Sequence, residues 1–121
     1  MPSEAGLTPK QELAWLAIRD NSRLALGFVE GMTEADFAAD RQTFYAVTRC
    51  LEIISEAARR PRGSQQDRFP DLEWRQIEDS GNIFRHMYQS VSEGRVLLTV
   101  RERVPALLAA ADQALAGTER Q

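Results

Sequence analysis

Phe44-Tyr45-Ala46-Val47-Thr48-Arg49-Cys50-Leu51-Glu52-Ile53-Ile54-Ser55-Glu56-Ala57-Ala58 is the run that decides the fold. Phe44, Val47, Leu51, Ile54 and Ala58 recur at three- and four-residue steps, the period of a helix that buries one face. Cys50, Ile53 and Ala57 make a second, narrower apolar stripe beside the first. A half-buried strand would alternate with period two, and no such alternation of useful length occurs in the chain.

The punctuation on either side of this run is helical as well. Upstream, Thr33-Glu34-Ala35-Asp36 spaces a threonine and an acid as a cap does, and the segment it opens reaches about residue 60, with a short helical turn before Asp40. Downstream, Pro61-Arg62-Gly63-Ser64 stops it, because proline cannot continue the helix and the glycine and serine favour a turn. An earlier helix is announced by Thr8 as cap, Pro9 at the first helical position and Gln11 completing a capping box. Trp15, Ile18, Ser22, Leu26 and Val29 share one of its faces, Leu13, Leu24 and Phe28 lie roughly opposite, and Gly31 closes it.

A third helical segment follows Pro70, with Asp71 as its expected cap, and runs through Trp74 and Ile77 to about Met87. Ser80-Gly81 falls in its middle. Glycine costs about 1 kcal/mol relative to alanine inside a helix, so it predicts a break or the close approach of another backbone. A fourth starts near Ser90 or Ser92 and carries Leu97, Val100, Val104, Leu107, Leu108, Ala111 and Leu115 on one stripe, with Pro105 as a kink or junction. Four such segments in 121 residues predict a single all-α domain over 1–121, ordered from about 8 to 117. The simplest arrangement is an antiparallel up-and-down four-helix bundle.

Composition narrows the function. A hydrophobic fraction of 43% with 27% charged residues describes an ordinary globular protein. The formal net charge of -3 argues against binding nucleic acid by bulk electrostatics, so any such contact must be local. Arg59, Arg60 and Arg62 supply one basic cluster, whose charges also complement the dipole at a helix C-terminus. Cys50 is the sole cysteine and His86 the sole histidine, which excludes an intrachain disulfide and the usual zinc ligand sets within one chain. Neither a metal nor a cofactor is expected. Residues 1 to 10 lack the apolar core of a signal peptide and no apolar run has membrane-spanning length, so the expectation is a cytoplasmic protein with no membrane partner.

Chemistry concentrates in Asn82-Ile83-Phe84-Arg85-His86-Met87-Tyr88. Imidazole can move a proton near neutral pH, and a guanidinium stabilises charge on a phosphoryl oxygen. On a helix Glu78, Asn82 and His86 are four apart and share a face, with Arg85 three from Asn82. Such a face suits RNA cleavage through attack of the 2′-hydroxyl, and it equally suits a surface hydrogen-bond ladder. One imidazole per chain means that a two-histidine mechanism needs a second protomer.

The chain resembles HepT-like proteins of the HEPN superfamily of small helical bundles over most of its length. The resemblance rests on Asp40-Arg41-Gln42-Thr43 and on Leu51-Glu52-Ile53-Ile54-Ser55-Glu56-Ala57-Ala58. It continues through Phe69-Pro70-Asp71-Leu72-Glu73-Trp74-Arg75-Gln76-Ile77 and Gly81-Asn82-Ile83-Phe84-Arg85-His86-Met87-Tyr88. It implies a toxin ribonuclease of a toxin–antitoxin pair, acting on RNA as a homodimer with its cleft between protomers. It also implies a minimal nucleotidyltransferase antitoxin as partner, which transfers AMP to the motif tyrosine, here Tyr88. The family motif is an arginine, four to six residues, a histidine, any residue and a tyrosine. His86 and Tyr88 match its end, whereas the arginine position falls on Asp79, Ser80 or Gly81, and Arg85 directly precedes the histidine. Arg85 and His86 are therefore the expected catalytic pair, with Glu78 and Asn82 in support. The alternative is a non-catalytic HEPN-like module that binds a nucleotide or a protein in the same cleft.

The surplus apolar faces of the first two long helices predict a homodimer, because one bundle cannot bury two opposite stripes of the same helix. Light scattering at tens of micromolar should return twice the chain mass, and a monomeric mass would refute the dimer.

Overall fold

Helix α1 starts where its cap dictates. The Thr8 hydroxyl accepts from the Gln11 amide at 3.1 Å and the Gln11 side chain accepts from the Thr8 amide at 2.9 Å, with Pro9 in the first helical turn. The computed structural model describes residues 6–60, 64–86 and 92–119, and for residues 64, 82–86 and 118–119 it describes the backbone alone. Among these, six helices form: α1 Pro9–Phe28, α2 Glu34–Ala39, α3 Arg41–Ala58, α4 Ser64–Asp67, α5 Trp74–His86 and α6 Glu93–Glu119.

The junctions follow local chemistry. Gly31, at φ 75°, turns the chain after α1, a backbone conformation that glycine adopts without a Cβ clash. Thr33 and Asp36 form the second capping box. Asp40 then divides the long predicted segment into α2 and α3. Its carboxylate accepts from the Thr43 amide at 3.0 Å and the Thr43 hydroxyl at 2.7 Å. These two bonds hold the Asp40 carboxyl below its ordinary value, so the stability it lends is present above the unfolded value and fades as pH falls through the folded one.

The four longer helices run up and down. Arg23 pairs with Asp112 at 3.2 Å, and Arg101 donates to the carbonyls of Val29 and Met32. Residue numbers thus rise along α1 as they fall along α6, and the two are antiparallel. Ser55 and Arg59 of α3 meet Gly81 and Glu78 of α5 in the same inverse order. Among the described residues the architecture is an all-α helical bundle, as the periodicity predicts. Its core holds Trp15, Ile18, Phe37, Phe44, Val47, Val96, Val100 and Val104, each no more than 1% exposed. Fully burying a side chain of this size contributes about 1.5–3 kcal/mol.

Four details differ from the sequence expectation. Asp71 does not cap α5; residues 69–72 form a turn, with the Leu72 amide on the Phe69 carbonyl, and the helix begins three residues later at Trp74. The short α4 carries no apolar period that would have announced it. Pro105 makes no junction, since α6 is one helix through it, with the ring on the exposed side. Finally, Cys50 and Ala57 of the second α3 stripe are buried within the chain itself, whereas Leu13, Leu24 and Phe28 on α1 are 63%, 51% and 41% exposed. The unpartnered apolar surface thus belongs mainly to α1.

Ser22 sits on the buried face of α1 with 0% exposure, and its hydroxyl has no hydrogen-bond partner among the described residues. An orphaned buried hydroxyl costs about 1–3 kcal/mol of desolvation. Ser22→Ala should therefore raise the urea midpoint with an unchanged m-value; a lowered midpoint would show that the hydroxyl is satisfied in solution.

Candidate active site

The candidate residues Glu78, Asn82, Arg85 and His86 lie on α5, and α5 is held at both ends of its first three turns. At its start the Trp74 indole N–H lies 3.1 Å from the carbonyls of both Gln66 and Phe69. The Trp74 ring meets Trp15 edge-on at 6.0 Å, and Phe69 packs edge-on against the same Trp15 at 5.4 Å. Trp15 donates its own N–H to Gln65 Oε1 at 3.1 Å. The Pro-x-x-x-Trp run of the sequence therefore anchors the start of α5 to α1 through aromatic faces. One turn on, Ile77 is buried against α3.

The next turn is tied by polar atoms. The Ser55 hydroxyl donates to the Glu78 carbonyl at 2.7 Å and accepts from the Gly81 amide at 3.0 Å. Arg59 Nη2 donates to the same Glu78 carbonyl at 2.9 Å. The Glu78 carboxylate accepts from Gln66 Nε2 at 2.8 Å, and Gln66 Nε2 also lies 2.9 Å from the Ala58 carbonyl. Gly81 is buried, and α5 passes through it without a break. The sequence left two readings for that glycine, and the structure realises the close approach, made by a serine side chain rather than by backbone.

Of the predicted site residues, Glu78 is thus a half-buried member of the network that fixes α5. Asn82, Arg85 and His86 follow on the same helix, whose backbone is described to His86, while their side chains lie outside the described residues. Tyr88 lies outside the described residues altogether. Helical register puts residues 82 and 86 one and two turns beyond Glu78 along one stripe. Sequence reasoning missed Ser55, Arg59 and Gln66. Arg59 stood in the basic cluster that closes α3, but nothing in the period of the chain pointed it at α5.

Beside this stripe, a groove of about 620 Å³ separates α5 from α6. Leu51 and Ile54 of α3 help to line it, with Ser80 on the α5 side and Leu98, Thr99 and Val104 on the α6 side. Arg103 crosses to Glu73 at 2.5 Å and ties α6 to the start of α5. Among the described residues no group of histidine, cysteine and acidic side chains could hold a metal ion, and no helix is long and apolar enough to cross a membrane.

A bundle of this kind, with a histidine-bearing helix clamped by its neighbours, is the setting in which family comparison becomes informative. The chain belongs to the HepT-like ribonuclease family, whose model matches residues 18–114. Among similar proteins, "Putative RNase MJ1380" of Methanocaldococcus jannaschii is 28% identical over 90 residues, covering 74% of this chain and 83% of its own. "Probable ribonuclease HepT" of Thermococcus cleftensis is 33% identical over 72 residues, 60% of this chain and 66% of its own. No solved structure gives a significant match.

The Ser55 hydroxyl bridges two backbone groups of α5, so its loss removes two hydrogen bonds between α3 and α5. Ser55→Ala should lower stability by about 1–3 kcal/mol in urea unfolding, the opposite sign to Ser22→Ala. A neutral effect would remove Ser55 from the set of groups that fix α5.

Proposed function

We propose that this protein is a metal-independent endoribonuclease toxin that works as a homodimer in the cytoplasm. The observation that carries the reading is the family match across residues 18–114, which includes the one histidine of the chain at the end of a clamped helix. In this reading a base removes the proton from an RNA 2′-hydroxyl and the 2′-oxygen attacks the adjacent phosphorus. The bond from phosphorus to the 5′-oxygen breaks, an acid protonates the leaving oxygen, and a cyclic phosphate remains. His86 of two protomers supplies base and acid across the dimer cleft, and Arg85 binds the phosphate and stabilises the charge that develops on it. Glu78 and Asn82 support the same stripe, Glu78 by holding the turn that carries it.

Regulation follows from the residue two beyond the histidine. A minimal nucleotidyltransferase antitoxin transfers AMP from ATP to the Tyr88 hydroxyl, releasing pyrophosphate, and the added phosphate charge and bulk beside His86 bar RNA from the cleft. A second reading, a non-catalytic module that binds a nucleotide or a protein, draws support from Gly81, which leaves a motif-arginine position without a side chain.

His86→Ala should reduce single-turnover RNA cleavage by at least about 10²-fold, with helix content and dimer mass unchanged. Cleavage that persists in a well-folded variant would place the chemistry elsewhere, and RNA binding without cleavage by the unaltered dimer would favour the binding module.

A further inference from the structure

Two charges of opposite sign, Arg95 and Glu102, stand on the α6 wall of the groove beside α5. Both are exposed, and among the described residues neither has an ion-pair partner. They are too far apart to pair with each other, since seven residues set them about 10.5 Å apart along the helix axis. No residue one turn away from either carries the opposite charge. Between them lies Leu98, which is 54% exposed, and the groove floor below is made by Leu51, Ile54 and Ile77. The other exposed apolar stripe, Leu13, Leu24 and Phe28 on α1, differs in this respect. Its bordering charges are already engaged within the chain, Arg19 with Asp20 and Arg23 with Asp112.

On the homodimer reading above, we propose that a second copy of this chain covers this groove, with the two α6 helices antiparallel about a two-fold axis between Leu98 and Thr99. The spacing of the stripe carries the argument. Turning α6 end for end about that midpoint brings residue 95 to the level of residue 102, and residue 98 to the level of residue 99. Arg95 of each protomer then meets Glu102 of the partner subunit, and the two Leu98 side chains close over the apolar floor. Such a contact is isologous, so one surface supplies both halves of each ion pair and forms the pair twice. Packed helices stand about 8–10 Å apart, a separation that the long arginine and glutamate side chains span. A polyanion suits the groove poorly, because Asp79 and Glu102 oppose Arg95, and Arg103 is already held by Glu73. Ile77, Asp79 and Ser80 form the opposite wall, so the copy seated there also borders α5. The dimer face is then that of α6 and α5, and the surplus stripe of α1 stays outside it.

Charge reversal tests the pairing. Arg95→Glu and Glu102→Arg each bring like charges together twice per dimer. Each should raise the dimer dissociation constant at least about tenfold, read by sedimentation velocity over a dilution series at low ionic strength, where exposed pairs are least screened. The double variant Arg95→Glu/Glu102→Arg re-forms both pairs with their signs exchanged and should return to within about threefold of the parent. Leu98→Asp, at the axis, should sediment as a monomer at tens of micromolar. Helix content by circular dichroism should match the parent throughout, since all three residues are exposed. A parent that is itself monomeric overturns the homodimer reading and this contact together, and leaves the groove to a partner of another sequence. A dimeric parent whose reversals and Leu98→Asp stay dimeric overturns the α6 contact alone. So does dissociation in both single reversals without recovery in the double.

Discussion

The helix that bears the one histidine of the chain is fixed in rotation as well as in position, and a single hydroxyl makes two of the bonds that fix it. Ser55 Oγ accepts from one α5 backbone group and donates to another three residues earlier, so α5 can neither rotate nor slide along α3 without losing both bonds. Arg59 and Gln66 fasten the same turn from the helix end and from α4, and the Trp15–Phe69–Trp74 cluster fixes the helix start. Everything at the candidate site inherits its register from that contact.

The broad design was legible before any coordinates. The stripe from Phe44 to Ala58, the capping boxes at Thr8 and Thr33 and the long apolar face of α6 all depend on local period and local hydrogen bonds, and these the chain encodes within a few residues. Gly81 was legible as a tension, since a glycine inside a helix calls for a neighbour at close range. The partner was not, because Ser55 lies 26 residues away and a serine within an apolar helix face reads as a tolerated small residue. Asp71 misled for a related reason. An acid just after a proline is a good cap in isolation, but Trp74 has to reach Trp15, and that packing sets the helix start three residues later. For the site itself the sequence offered His86, Arg85, Tyr88, Asn82 and Glu78, of which the described side chains include Glu78 alone, in a bracing role.

Electrostatics set the terms for the function. A chain of net charge -3 gains little from long-range attraction to a polyanion, so recognition has to be assembled from a few oriented guanidinium groups. Several arginines of this chain are engaged in fixing the bundle, Arg41 with Glu93, Arg23 with Asp112 and Arg103 with Glu73. Those pairs bridge segments distant in sequence.

The groove between α5 and α6 bears on how the protein comes apart. Helix α5 spans 13 residues against 27 for α6, and its main support is α3 on one side. Because the groove separates it from α6, lifting α5 away breaks the polar clamp and exposes Ile77 but leaves the core between α1, α3 and α6 in contact. That partial opening costs less than global unfolding, so α5 forms a separate cooperative unit with the lower protection against amide exchange. On the proposed reading, activity then depends on a local equilibrium, and conditions that leave the bundle folded can already dismantle the helix that bears the histidine.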